Sequence, residues 1–79
     1  MRTISEVELL KEFGDNLRDI LIEYQMTQAE LAEETGMSEA TISRYIKGER
    51  MPTLRSLVNL IYVLECDPDE LIDFDYFVE

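Results

Sequence analysis

Apolar residues recur at helical spacing along most of this 79-residue chain. Phe13, Leu17, Ile20, Leu21 and Tyr24 fall on one helical face, with Asp15, Asn16, Arg18, Asp19 and Glu23 on the other. Ser5 followed by Glu8 has the form of a capping box. The helix therefore either begins near Glu6 and runs through Gly14, at about 1 kcal/mol for an interior glycine, or is preceded by a separate short helix. Thr27 and Glu30 form a second capping box, opening a short helix through Leu31 and Ala32 that ends near Thr35, where Gly36 allows a left-handed exit. Ser38 caps a third helix with Ile42, Tyr45 and Ile46 pointing inward, Glu39, Ala40, Ser43, Arg44 and Lys47 pointing outward, and Gly48 at its end. Thr53 caps a fourth, which the spacing of Leu54, Leu57, Val58, Ile61 and Leu64 marks as a core helix. Asp67, Pro68 and Glu70 supply cap, first-turn proline and third-position acid for a short fifth helix through Leu71 and Ile72. No segment has the alternation and hairpin turns of a sheet, so the expected class is all-α with five helices.

Residues 1–12 read as an N-terminal extension, 13–72 as the helical domain and 73–79 as an acidic, aromatic tail. Within the domain, Thr27 to Lys47 has the form of a helix-turn-helix, in which the first helix braces the second in the DNA major groove. Ala32 is small where the two helices approach, Gly36 is expected to avoid a side-chain clash in the turn, and Met37 to tuck beneath it.

Composition complicates this picture. Seven basic residues against eighteen acidic ones give a net charge of −11, whereas nucleic-acid binders usually present a basic surface. The distribution restores the reading. From Gly36 to Val58, Arg44, Lys47, Arg50 and Arg55 outweigh Glu39 and Glu49 for a net of +2, and the remainder of the chain carries −13. From Glu65 onward every charged residue is an acid.

The segment TQAELAEETGMSEATISRYIKGERMPTLRSL resembles the helix-turn-helix family typified by phage repressors and Cro proteins, and the resemblance spans Phe13 to Leu71. It implies a five-helix, lambda-repressor-like domain, sequence-specific binding of double-stranded DNA, transcriptional regulation and a homodimer on a two-fold operator. Carried over by position, Gln28 would bond a phosphate or buttress the reader helix, and Glu39, Ala40, Ser43 and Arg44 would face base edges. The fork of Arg44 suits guanine O6 and N7, Ala40 and the Thr41 methyl suit a thymine methyl, and Glu39 suits cytosine N4 or the helix N-terminus itself. Lys47, Arg50 and Arg55 would contact phosphate, with the Tyr45 hydroxyl if it reaches the surface.

The tail residues Phe74, Tyr76, Phe77 and Val78 either close the domain against the first helix or pack across a dimer axis with Val7, Leu9 and Leu10. Lone Cys66, with no cationic neighbour in sequence, reads as an inert buried residue. The acids near the C-terminus lack a calcium-loop pattern, and without histidine the usual zinc spacings fail, so neither metal nor other cofactor is expected. There is no catalytic constellation, and no apolar run approaches the roughly 20 residues that span a bilayer, which points to a non-enzymatic, cytoplasmic protein. A rival reading takes the fold as a scaffold whose acidic surface engages a basic protein, as in an antitoxin-like module.

Overall fold

The computed structural model describes residues 4–73 and residue 75. It consists of α1 (Glu6–Glu23), α2 (Gln28–Thr35), α3 (Glu39–Ile46), α4 (Leu54–Leu64) and α5 (Pro68–Leu71), with no strand among the described residues. The two alternatives for the N-terminus resolve to one helix, since α1 runs unbroken through Gly14. The tail positions Phe74, Tyr76, Phe77 and Val78 lie outside the described residues.

Local chemistry sets the boundaries. Ser5, Thr27, Ser38 and Thr53 each accept a backbone N–H three residues ahead, and Thr27 with Glu30 completes the reciprocal box. Gly36 leaves α2 at φ 76° and donates its N–H to Ala32 O at 2.9 Å. A side chain there would meet nothing within 4 Å, so the expected steric reason for this glycine is wrong; the positive φ alone requires it. Asp67 occupies the N-cap position of α5, but its side chain makes no capping hydrogen bond, leaving Pro68 to start the helix by its fixed φ.

Phe13, Leu17, Leu31, Ile42, Leu60 and Leu71 are the largest fully buried side chains, joining all five helices in one core. The Phe13 and Tyr45 rings pack edge to face, 5.6 Å apart, where α1 crosses α3. This crossing explains Gly14: a Cβ on it would lie 2.5 Å from Tyr45 O and 2.7 Å from Ile46 O. The interior glycine thus trades helix propensity for close approach of α1 to the end of α3. Met37 is half-buried against the core beneath the turn.

Three sequence assignments change. Tyr24 caps α1 from an exposed position, with its hydroxyl 3.4 Å from Glu70 Oε2. Asn16 is half-buried, donating through Nδ2 to Leu71 O and Glu12 Oε1, both at 2.9 Å, and so ties α1 to α5. Helix α4 is rotated from its expected orientation, burying Leu60 and Leu64 and leaving Leu54 79% and Val58 56% exposed. In this orientation the Nδ2 of Asn59 donates to the backbone O of Thr35, the last residue of α2, at 3.0 Å.

Candidate nucleic-acid interface

Eight residues form α3, about 12 Å of helix. At about 100° per residue, Glu39, Ala40, Ser43, Arg44 and Lys47 share an arc of roughly 140°, opposite buried Ile42 and Tyr45. Glu39, Ala40, Arg44 and Lys47 are exposed on it, and Ser43 is half-buried at its base. Packing of Ile42 and Tyr45 against α1 and α2 therefore decides which side chains α3 presents to a partner.

The N-terminus of α3 is held by more than its cap. Ser38 Oγ accepts from Thr41 N at 3.0 Å and also lies 2.8 Å from Thr41 Oγ1. The Thr41 hydroxyl is thereby engaged in the turn, which leaves its methyl as the group available for contact. Glu39 occupies the first turn of α3, where a carboxylate favourably meets the positive end of the helix dipole. The Thr41–Ser38 hydroxyl pair had a detectable signal in the sequence, a hydroxyl residue three positions after a serine cap.

Cations divide into two groups by their use. On α1, Lys11 Nζ donates to Asp15 Oδ2 at 2.8 Å, and Arg18 lies 3.6 Å from Asp15 and 3.5 Å from Asp19. The hydrogen bond from Lys11 is the main cause holding the Asp15 carboxyl below its ordinary range. Arg44, Lys47, Arg50 and Arg55 are all exposed, and none forms an ion pair among the described residues. Neither Glu39 nor Glu49, the nearby acids, neutralises Arg44. These four charges run from the outer face of α3 through the following loop to the start of α4.

Gln28 is half-buried at the start of α2, in a depression that it lines with Arg18, Ile22 and Ile46. It therefore lies near Ile46, the last residue of α3. Tyr45 differs from the phosphate contact envisaged for it: at 3% exposure, with its ring against Phe13, it has almost no surface to offer and serves packing. Of the dimer candidates in the N-terminal segment, Val7 is exposed and Leu10 half-buried. Leu9, with Ile4, Phe13, Met51, Pro52, Leu57 and Ile72, instead lines an apolar cavity of about 250 Å³. Cys66 is buried and unpaired, and burial raises its thiol pKa, with nearby Glu70 adding to the effect. No helix among the described residues is long and apolar enough to cross a membrane.

Comparison with known proteins places this geometry. Residues 16–75 match the model of the Cro/C1-type HTH DNA-binding domain. The cryptic phage CTXphi transcriptional repressor RstR of Vibrio cholerae serotype O1 is 42% identical over 45 residues. That match takes in 57% of this chain and 40% of RstR, so the likeness covers less than half of the repressor. Among solved structures, the restriction-modification controller protein C.AhdI from Aeromonas hydrophila superposes with a TM-score of 0.75 at 27% identity, over 80% of this chain and 96% of that one. An HTH_3 family transcriptional regulator from Vibrio cholerae has a TM-score of 0.82 at 21% identity, over 90% of this chain and 40% of its own, a likeness of fold alone.

Proposed function

Given that the chain belongs to the Cro/C1-type helix-turn-helix DNA-binding family, we propose that it regulates transcription, most simply as a repressor, by occupying a specific duplex site. The observation that carries this reading is the row of exposed, unpaired cations, Arg44, Lys47, Arg50 and Arg55, continuous with the outer arc of α3 on an otherwise acidic chain. A cation already paired within the protein has to break that pair to meet DNA; these do not.

Arg44 reads guanine through two hydrogen bonds to O6 and N7, a contact worth about 1–3 kcal/mol of discrimination. Ala40 and the Thr41 methyl touch thymine methyls, Ser43 donates or accepts, and Glu39 serves cytosine N4 or the dipole of its own helix. Lys47 and Arg50, with Arg55 extending the strip and Gln28 at its edge, hold phosphates and fix register without reading sequence. Two copies on a two-fold operator place their α3 helices in successive major grooves, roughly 34–36 Å apart. The site of action is the cytoplasm, in contact with the chromosome.

The test is enrichment from a random duplex pool at low and physiological salt, with wild type beside Arg44→Ala. The expected result is a palindromic motif that survives physiological salt and loses one guanine preference in the variant. Recovery of no motif at either salt would shift the function to recognition of a basic protein by the acidic surface.

A further inference from the structure

Eight of the eleven residues of α4 are apolar, which is more than one buried face requires. The core takes Leu60 and Leu64, with Leu57 and Ile61 half-buried at its edge. Leu54, Val58 and Tyr62, four residues apart in turn, form a separate stripe that is 79%, 56% and 82% exposed. Taking about 150–250 Å² for a whole aromatic side chain and less for the aliphatic ones, the stripe shows roughly 400 Å² of apolar surface. That equals the largest apolar patch of a typical monomer, about 300–600 Å², concentrated on one helix. It is also about half of the roughly 800 Å² that each partner contributes to a standard interface. Half-buried Ile61 lies beside Tyr62 at its edge.

We propose that this outer face of α4 binds a second copy of the chain, the two α4 helices lying antiparallel across a two-fold axis near Val58. This rests on the homodimer reading above and assigns its surface to α4 rather than to Val7, Leu10 and the tail. Charge selects the occupant and the direction. The N-terminal end of the stripe carries Arg55 next to Leu54, and the C-terminal end carries Glu65, with Glu34 lining the same depression as Tyr62 and Glu65. A parallel pairing sets cation on cation and acid on acid. An antiparallel pairing sets the basic end of each helix against the acidic end of the other, twice by symmetry, and opposes the helix dipoles. It also brings Leu54 onto Tyr62 of the partner subunit at each side of the central valines. A patch that is apolar along its middle and oppositely charged at its ends is complementary to itself, and the outer arc of α3 stays free for DNA.

Sedimentation equilibrium without DNA, over a concentration series, tests this on the full chain. Wild type is expected to dimerise. Val58→Glu, which sets two carboxylates against each other at the axis, should weaken association by about 30-fold or more, as loss of a central interface residue does. Its helical circular dichroism and its binding to a single half-site should be retained. Arg55→Glu should weaken association, and adding Glu65→Arg should restore it. A wild-type dimer unmoved by Val58→Glu overturns the α4 face and leaves the homodimer standing. Failure of the charge swap to restore overturns the antiparallel register. A monomeric wild type at every concentration, free and on its operator, overturns both the face and the homodimer, and the Arg44 experiment then judges DNA reading separately.

Discussion

Gln25 carries the chain out of α1 at φ 54°, a left-handed conformation that costs a residue with a Cβ about 1–2 kcal/mol and costs glycine far less. It is exposed and well removed from α3 and α4 in sequence, so Gln25→Gly should stabilise the fold by about 1 kcal/mol, read as a higher urea midpoint at unchanged slope. At Gly36 the evolved sequence already has the residue that this conformation prefers. The caps at Ser5, Thr27, Ser38 and Thr53 could be read from sequence because each is complete within four residues. What local sequence does not contain is the environment: that Gly36 faces open space, that Gly14 faces two carbonyls, and that the ring of Tyr45 is closed in by Phe13.

Element boundaries followed from the residues, but the rotation of α4 did not. Periodicity identifies a buried face by contrast, and a helix with apolar residues on most of its circumference has little contrast. The spacing takes in Leu54 and Val58 and passes over Leu60, whereas the packed helix buries Leu60 and places the Asn59 amide against the carbonyl of Thr35. The two kinds of leucine should separate cleanly in unfolding experiments. Leu60→Ala, at a fully buried position, should cost about 2–5 kcal/mol, whereas Leu54→Ala should change the stability of the isolated protomer by less than about 0.5 kcal/mol. Measurement of chemical denaturation at low protein concentration, where association does not contribute, checks both.

For the whole molecule, the arrangement of charge matters more than its total. The stretch from Gly36 to Val58 is +2 against −13 elsewhere, and its cations, which form no ion pair among the described residues, lie on α3, in the loop after it and at the start of α4. A net charge of −11 opposes long-range attraction to DNA, so the proposed binding rests on short-range contacts by a few side chains. Lys47→Ala should weaken binding to all sequences alike and reduce the magnitude of the logarithmic salt slope by about 1, as expected when one phosphate contact is lost. Titration of a labelled operator at several salt concentrations measures that slope. The helix-turn-helix could be recognised from sequence because caps, turn and spacing are all local, whereas the exposed apolar face of α4 appeared only once the helices were packed together.

The close contact at Gly14 also has a bearing on how α3 is held. This buried glycine has no side chain and no surface to offer DNA, yet the Tyr45 and Ile46 carbonyls that terminate α3 lie against it at distances that leave no room for a methyl group. The thickness of α1 at that one position works as a shim beneath the end of α3. A chain with a bulkier residue there, and with the packing adjusted to admit it, would hold α3 at a different tilt. Residue 14 thus acts on the angle at which α3 is held through packing alone, without any exposed contact of its own.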